Sequence, residues 1–179
     1  MAQHEIILSG FGGQGIQSAG MIIAYSAMLE GKFVSFLPSY GAEMRGGTSN
    51  CHVIVSDDPV GSPIINNATV LLAMNRPSLD KFENWVVPGG IILYDSSLVN
   101  RDIARTDVKP FGIPATQIAS DMGNLAYANI VMLGKLLEET GAVSSEYFEK
   151  GLMKVLPERK HYMIPEEMEA LDLGMKYQV

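Results

Sequence analysis

The stretch from Glu5 to Ile16 constrains the fold of this chain more than any other. An apolar run at residues 6–8 is typical of a buried strand, and an apolar segment with helical spacing follows over residues 16–29. Between them Gly10, Gly12 and Gly15 have the G-x-G-x-x-G spacing of a nucleotide-binding turn. In such a turn the first glycine permits a tight turn, the second lets a ligand approach the backbone closely, and the third lets the helix pack closely on the strand. The stretch therefore predicts a strand–turn–helix unit with unpaired N–H groups at the start of the helix.

We interpret this turn as a candidate anion- or nucleotide-binding site; the alternative is a turn that only packs the helix against the strand. The candidate ligand-binding residues are Gly10, Gly12, Gly13, Gln14 and Gly15. Ordinary dinucleotide binding also needs an Asp or Glu, about 20 residues on, to bind the ribose at the end of the second strand. That strand is predicted over residues 33–37, and Pro38-Ser39-Tyr40 follows it without an acid. The sequence thus disfavours classical NAD binding.

Apolar strand-like runs alternate with helix-like segments along the rest of the chain. Further strands are predicted over 51–56, 69–74, 91–95 and 108–113, the last at a sheet edge because of Pro110. Further helices are predicted over 77–85, 114–120, 125–137, 145–156 and 166–177, and a turn at 88–90. This alternation predicts a Rossmann-like α/β fold, a largely parallel sheet with helices on both faces. We expect one domain over residues 1–179, with a C-terminal helical extension from about residue 158.

Composition and charge argue against several classes of function. The net charge of -7 and the lack of a Lys/Arg-rich run disfavour nonspecific nucleic-acid binding. No apolar stretch reaches the roughly 18 residues that span a bilayer, and the first five residues lack the basic region of a secretory signal. We therefore expect a cytoplasmic chain with no nucleic-acid or membrane partner. Eleven methionines and 47% hydrophobic residues indicate either a large core or an interface with other chains.

The polar loop at residues 38–50 carries the remaining candidate ligand-binding residues. Loops of this length within compact domains are often functional. Arg45 precedes two glycines, whose backbone N–H groups are able to join the guanidinium in holding a phosphate or carboxylate. The alternative is an ion pair, with Glu43 or between subunits, that only orders the loop. The candidates here are Glu43, Arg45, Gly46 and Gly47.

Neither a catalytic nor a metal-ligating residue is predicted. Cys51 and His52 are neighbours on a predicted strand, so their side chains point to opposite faces and we interpret both as packed positions. Cys51 is the single cysteine, which excludes an internal disulfide and a cluster that needs about four thiolates. His4 and His161 are isolated, and the acidic pair at 57–58 precedes a proline and predicts a turn.

Two of these segments, GFGGQG at residues 10–15 and SYGAEMRGGTSN at 39–50, resemble the gamma subunit of 2-oxoacid:ferredoxin oxidoreductases. The likeness extends to residues 53–57, 62–63 and 129–134 and covers nearly the whole chain; residues 41–47 are its most specific part. The short length is most similar to gamma subunits of the enzymes that use 2-oxoglutarate. Branched-chain oxoacid, pyruvate and indolepyruvate enzymes have similar subunits.

The resemblance implies a role in a multi-subunit complex that oxidatively decarboxylates a 2-oxoacid, forms an acyl-CoA and reduces ferredoxin. It implies alpha and beta partner subunits, with or without a ferredoxin-like delta subunit, and contact with ferredoxin through the complex. Thiamine diphosphate, Mg and iron–sulfur clusters would be carried mainly by those partners, and CoA would bind to the complex. This chain alone would bind no cofactor and would be inactive. The competing hypotheses are a stand-alone Rossmann-type nucleotide-binding oxidoreductase and a purely structural assembly subunit.

Overall fold

A six-stranded sheet forms the centre of the protein, in the order β2–β3–β1–β4–β5–β6. The computed structural model describes residues 2–39 and 48–179. The strands are β1 Gln3–Phe11, β2 Phe33–Ser39, β3 Thr48–Ser56, β4 Ala68–Ala73, β5 Val86–Asp95 and β6 Lys109–Ile113. Neighbours from β1 through β4 and β5 to β6 pair in parallel, whereas β3 is antiparallel to both β1 and β2. Because β3 alone runs against the other described strands, the prediction of a largely parallel sheet is confirmed.

The α-helices follow the predicted segments closely. They are α1 Ile16–Leu29, α2 Arg76–Phe82, α3 Ala115–Asp121, α4 Ala128–Thr140, α5 Ser145–Val155 and α6 Ile164–Lys176. Short 3₁₀ helices lie at Gly12–Gln14, Glu83–Trp85, Leu125–Tyr127 and Glu158–Met163. The predicted bounds of α1 are confirmed, and the predicted edge position of the last strand is confirmed by β6.

Helices cover both faces of the sheet, as predicted, but to very different extents. Side chains on β1 alternate between two buried clusters: Ile6 and Leu8 pack into one, and Ile7 into the other. The first cluster is formed with α1, α3, α4, α5 and α6. In the second, α2 supplies Leu79 and Phe82, and the loops before β4 and β6 supply Ile65, Val99 and Val108. The face that carries α2 is therefore the thinner one.

The turn predicted at residues 88–90 is wrong, since these residues lie within β5. Ala68 pairs with Val86 and Val70 with Ile91, so β5 bulges away from β4 between these pairs. Gly89 has φ 81°, a left-handed conformation that glycine adopts without strain, and its N–H donates to the Asp107 carbonyl at 2.6 Å. A Pro-Gly-Gly sequence favours a turn locally, but pairing with the neighbouring strand turns it into a bulge.

Two glycines allow α4 and α6 to pack closely. A Cβ atom on Gly134 would meet the backbone carbonyl of Leu171, and one on Gly174 would meet that of Val131. Each contact would be with the backbone of the facing helix, which cannot rotate away as a flexible side chain can. The spacing of these two helices therefore depends on both positions lacking a side chain.

We predict that Gly134→Ala lowers the free energy of unfolding by roughly 1–3 kcal/mol or more, because the added methyl group forces the two helices apart. In a chain of this size each kcal/mol lowers the melting temperature by about 2–4 °C, which calorimetry would detect. Gly61→Ala is the matched control, since a Cβ there meets nothing within 4 Å. Equal melting temperatures for the two variants would contradict this account of the packing.

Candidate functional site

A crevice of about 470 Å³ opens where β1 and β4 end. From β1 the chain passes through α1 to β2 on one side of the sheet, whereas β4 leads to β5 on the other side. This is the topological switch point at which open α/β sheets bind ligands, outside the carboxyl ends of their strands. The polar lining groups come from the turn, α1, α3 and α4: Gly13, Gln14, Gly15, Ser18, Thr116 and Asn129.

Glycine occurs at different positions of the turn at residues 10–15 for different structural reasons. A Cβ on Gly10 would lie 2.6 Å from Gln14 Oε1 and 2.9 Å from the Met74 Cβ, so packing excludes a side chain. Gly15 has φ 71° and ψ 33°, which few other residues adopt, and its Cβ would lie 2.7 Å from Asn129 Nδ2. By contrast, a Cβ on Gly13 would meet nothing within 4 Å. Folding requires glycine at 10 and 15, while at 13 glycine leaves the backbone open to the crevice.

Gln14 joins this turn to the residues after β4. Its Oε1 accepts hydrogen bonds from the Phe11 N–H at 2.7 Å and from Asn75 Nδ2 at 3.2 Å, and its Nε2 donates to the Met74 carbonyl at 3.1 Å. The side-chain amide thus satisfies groups on two loops that leave neighbouring strands. Gln14 holds the floor of the crevice in place.

Asn129, which the sequence analysis did not single out as a site residue, supports the turn from α4. Its Nδ2 donates to the Gly15 carbonyl at 3.1 Å, the same oxygen that accepts the Ala19 N–H at 2.9 Å. Asn129 is 8% exposed, and its Oδ1 is buried without a partner among residues 2–39 and 48–179. An amide in the otherwise apolar first half of α4, residues 128–134, was the available signal, but its partner lies 114 residues away.

A second missed residue, Asp95, fixes the crevice wall at Thr116. Asp95 is fully buried at the end of β5, and its carboxylate accepts hydrogen bonds from the backbone N–H and the hydroxyl of Thr116. It also accepts the Ser97 N–H at 3.0 Å. These bonds hold the start of α3 against the end of β5 and so fix one side of the crevice.

No charged side chain lines the crevice within the part of the chain that the structure describes. The polar features there are backbone groups of the turn, the hydroxyls of Ser18 and Thr116, the side-chain amides of Gln14 and Asn129, and the first turn of α1. The first N–H groups of a helix lack intrahelical partners and carry part of the positive end of the helix dipole. An anion in this crevice would therefore be held by backbone N–H groups and the dipole of α1.

The predicted site residues Glu43, Arg45, Gly46 and Gly47 lie outside the described residues. The strands that flank them are described. Thr48 pairs with Phe11, and Asn50 pairs with both Ser9 and Ser39. Gln17, in the first turn of α1, donates from Nε2 to Ser49 Oγ at 3.0 Å and to the Asn50 carbonyl at 2.9 Å. The end of β2 and the start of β3 thus lie at the same end of the strands as the glycine turn.

The sheet order gives a second reason against the usual mode of NAD binding. In this chain β3 lies between β1 and β2. Neighbouring strands are about 4.8 Å apart, so the end of β2 is displaced from the end of β1 by two spacings, about 10 Å. An acid at the end of β2 would not lie beside the glycine turn, and Ser39 occupies that position.

Cys51 and His52 lie on opposite faces of the sheet, as predicted. Cys51 is fully buried in the cluster with five helices, and burial raises the pKa of its thiol to about 12, which makes it a poor nucleophile and metal ligand. His52 is half-buried on the other face; its Nδ1 accepts the Ile65 N–H at 3.3 Å, and desolvation lowers its pKa. Across the described ranges, no three His, Cys, Asp or Glu side chains are arranged to hold a metal ion.

None of the helices in residues 2–39 and 48–179 combines the length and the apolar character needed to cross a membrane.

The sequence matches a family of known proteins over nearly its whole length. The model of the pyruvate ferredoxin/flavodoxin oxidoreductase family matches residues 5–177. The 2-oxoglutarate synthase subunit KorC of Methanocaldococcus jannaschii is 40% identical over 158 residues, 87% of this chain and 84% of that subunit. The ketoisovalerate oxidoreductase subunit VorA of Methanothermobacter thermautotrophicus is 46% identical over 133 residues, 74% of this chain. The match spans only 28% of the length of VorA.

Solved structures with the same fold include two oxidoreductases. The gamma subunit of a keto/oxoacid ferredoxin oxidoreductase from Geobacter sulfurreducens superposes with a TM-score of 0.81 at 34% identity, over 97% of this chain and 96% of that one. The 2-oxoglutarate:ferredoxin oxidoreductase from Magnetococcus marinus, solved with 2-oxoglutarate, coenzyme A and succinyl-CoA, superposes with a TM-score of 0.89 at 25% identity. That likeness covers 98% of this chain and 31% of the Magnetococcus chain.

We predict that NAD and NADP bind the isolated chain with dissociation constants no tighter than about 1 mM, or not at all. The reason is that no acid lies beside the turn to hold the ribose diol. Isothermal titration calorimetry would check this, and a micromolar dissociation constant would contradict it.

Proposed function

Because the chain belongs to the pyruvate ferredoxin/flavodoxin oxidoreductase family, we propose that it acts as the gamma-type subunit of a 2-oxoacid:ferredoxin oxidoreductase. The proposed reaction is oxidative decarboxylation of the 2-oxoacid, with formation of an acyl-CoA and reduction of ferredoxin. The partners would be larger alpha and beta subunits, with or without a ferredoxin-like delta subunit. The observation that supports this most strongly is the likeness to KorC and to the Geobacter gamma subunit over more than four-fifths of both chains.

The proposed substrate of the complex is 2-oxoglutarate. The relatives that match this chain over most of their own length include 2-oxoglutarate synthase subunits from three organisms. The likeness to VorA makes ketoisovalerate the second candidate. Residues of this chain do not decide between the two, because the substrate pocket is expected in the other subunits.

This chain's own residues do not fit the redox cofactors of such a complex. An iron–sulfur cluster needs about four thiolates, whereas the chain has one cysteine, which is buried. We propose that thiamine diphosphate, Mg and the clusters are held by the partner subunits and that the isolated chain is inactive. Oxidation of the 2-oxoacid would then take place elsewhere in the complex.

We further propose that the crevice beside the turn contributes to binding of CoA. Two observations support this. The Magnetococcus enzyme, 31% of whose chain is covered by the likeness in fold, was solved with coenzyme A. Glycine at position 13 leaves the backbone open to the crevice, although a Cβ there would meet nothing within 4 Å. Backbone N–H groups and the start of α1 suit an anionic or strongly polar part of CoA. The strands that flank residues 40–47 have their ends beside the glycine turn. We propose that the phosphates are held by Arg45, Gly46 and Gly47, with Glu43 orienting Arg45.

The test is Gly13→Leu in the assembled complex. The new side chain would occupy the crevice, so we predict a KM for CoA raised roughly tenfold or more, equivalent to about 1.4 kcal/mol of lost binding. The KM for the 2-oxoacid and the kcat at saturating CoA should stay near wild type, because only CoA binding is weakened.

Gly61→Leu is the control, since its Cβ also meets nothing within 4 Å but it lies on the loop before β4. If Gly13→Leu assembles and leaves the KM for CoA unchanged, the crevice has no part in CoA binding. Failure of the wild-type chain to join alpha and beta subunits would contradict the proposed function as a whole.

A further inference from the structure

The two edges of the sheet are protected to different degrees. At one edge β6 is five residues long and contains both Lys109 and Pro110. At the other edge β2 is seven residues long, has the sequence FVSFLPS and contains no charged residue. Within the described residues β2 pairs with β3 alone. Natural sheets protect free edges by charge, by proline and by short strands. Both edge strands contain a proline, but β2 is longer than β6 and uncharged, so β2 is the edge on which a further strand is able to add.

Pro38 indicates which backbone groups of β2 face outward. It pairs with Cys51 across to β3 but has no N–H to donate. Proline is accommodated in an edge strand where its nitrogen faces away from the neighbouring strand. Backbone direction alternates along a strand, so the N–H and C=O groups of Val34 and Phe36 point to the same outer side. These two residues offer hydrogen bonds to a chain that lies alongside.

Exposed apolar side chains flank this edge on both faces of the sheet. On the α1 side, Tyr25 is 37% and Met28 is 53% exposed, beside a cavity of about 390 Å³ that Val34 and Phe36 also line. On the two faces together, the exposed apolar residues along this edge are Tyr25, Met28, Phe33, Leu37 and Trp85. Aromatic residues and methionine are the types enriched in protein–protein interfaces.

On the α2 side the same edge borders a second cavity. Phe33 is 47%, Leu37 37% and Trp85 38% exposed. Leu37 and Trp85 line a cleft of about 460 Å³, together with His52 and Phe82. Strand addition places alternate side chains of the incoming strand on opposite faces. A cavity on each side of β2 suits such an arrangement.

Charge indicates what kind of chain fits there. Among the described residues, the cavity on the α2 side of β2 is lined by one charged side chain, Lys81, and the cavity on the α1 side by none. A second copy of this chain would bring a net charge of -7 against another -7. A partner with acidic residues beside apolar ones fits better.

We propose that β2 is the docking edge for a larger subunit of the complex, which adds an extended strand to the sheet. Apolar side chains of that strand would enter the two flanking cavities, and an acidic residue beside them would face Lys81. The proposal rests on the proposed function, in which this chain works with larger subunits. In VorA and the Magnetococcus enzyme the similar segment is 28% and 31% of a longer chain, which favours a different polypeptide over a second copy as the occupant.

The test uses the alpha and beta subunits of the same complex, co-expressed and purified, with Phe33→Glu and Leu37→Asp variants of this chain. Both side chains are exposed, so the isolated variants should melt like wild type. Their affinity for the alpha and beta subunits should fall about 30-fold or more, as at a central interface residue. Leu173→Glu is the matched control, because Leu173 is 39% exposed on α6, and its affinity should match that of wild type.

Hydrogen exchange on the wild-type complex tests the added strand separately. Exchange of the Val34 and Phe36 amides should slow at least about tenfold on assembly, since both become hydrogen-bonded. Unchanged exchange, or Phe33→Glu and Leu37→Asp variants that assemble like wild type, would overturn the proposal while the proposed function stands. Self-association of the isolated chain that Phe33→Glu abolishes in sedimentation would also overturn it, because a second copy would then occupy the edge.

Discussion

The crevice depends on the hydrogen bonds by which two side-chain amides fix one glycine turn in place. Gln14 ties the turn to the residues after β4, and Asn129 ties Gly15 to α4. Between them they hold the ends of β1 and β4, the start of α1 and the start of α4 at one point. Net contributions of single hydrogen bonds are about 1 kcal/mol, but here they fix geometry, so the backbone at Gly13 stays open.

The local part of this arrangement could be predicted from the sequence. Glycine spacing, the apolar run before it and the helical pattern after it all lie within 25 residues, and the predicted bounds of α1 are confirmed. The rest depends on contacts distant in sequence. Insertion of β3 between β1 and β2 is decided by pairing across the sheet, and Asn129 reaches Gly15 from 114 residues away. Neither leaves a periodic signal, and the bulge in β5 arises from the same kind of long-range pairing.

The methionines illustrate why composition left two interpretations open. Met74 and Met132 are fully buried, as a large core requires, while Met28 and Met153 are each 53% exposed. The chain therefore has both a large core and exposed apolar side chains, and five of the latter, Tyr25, Met28, Phe33, Leu37 and Met153, lie on α1, β2 and α5. Apolar surface of this kind suits the proposed role as a subunit that works with other chains.

The most direct measurement is ferredoxin reduction driven by 2-oxoacid and CoA, with the isolated chain, the alpha and beta subunits alone, and all three together, along with the iron content of each sample. We predict no activity and no bound iron for the isolated chain, and full CoA-dependent activity only when all subunits are combined. Oxidation of a 2-oxoacid by this chain alone, or stoichiometric iron bound to it, would show that the proposed division of work between the subunits is wrong.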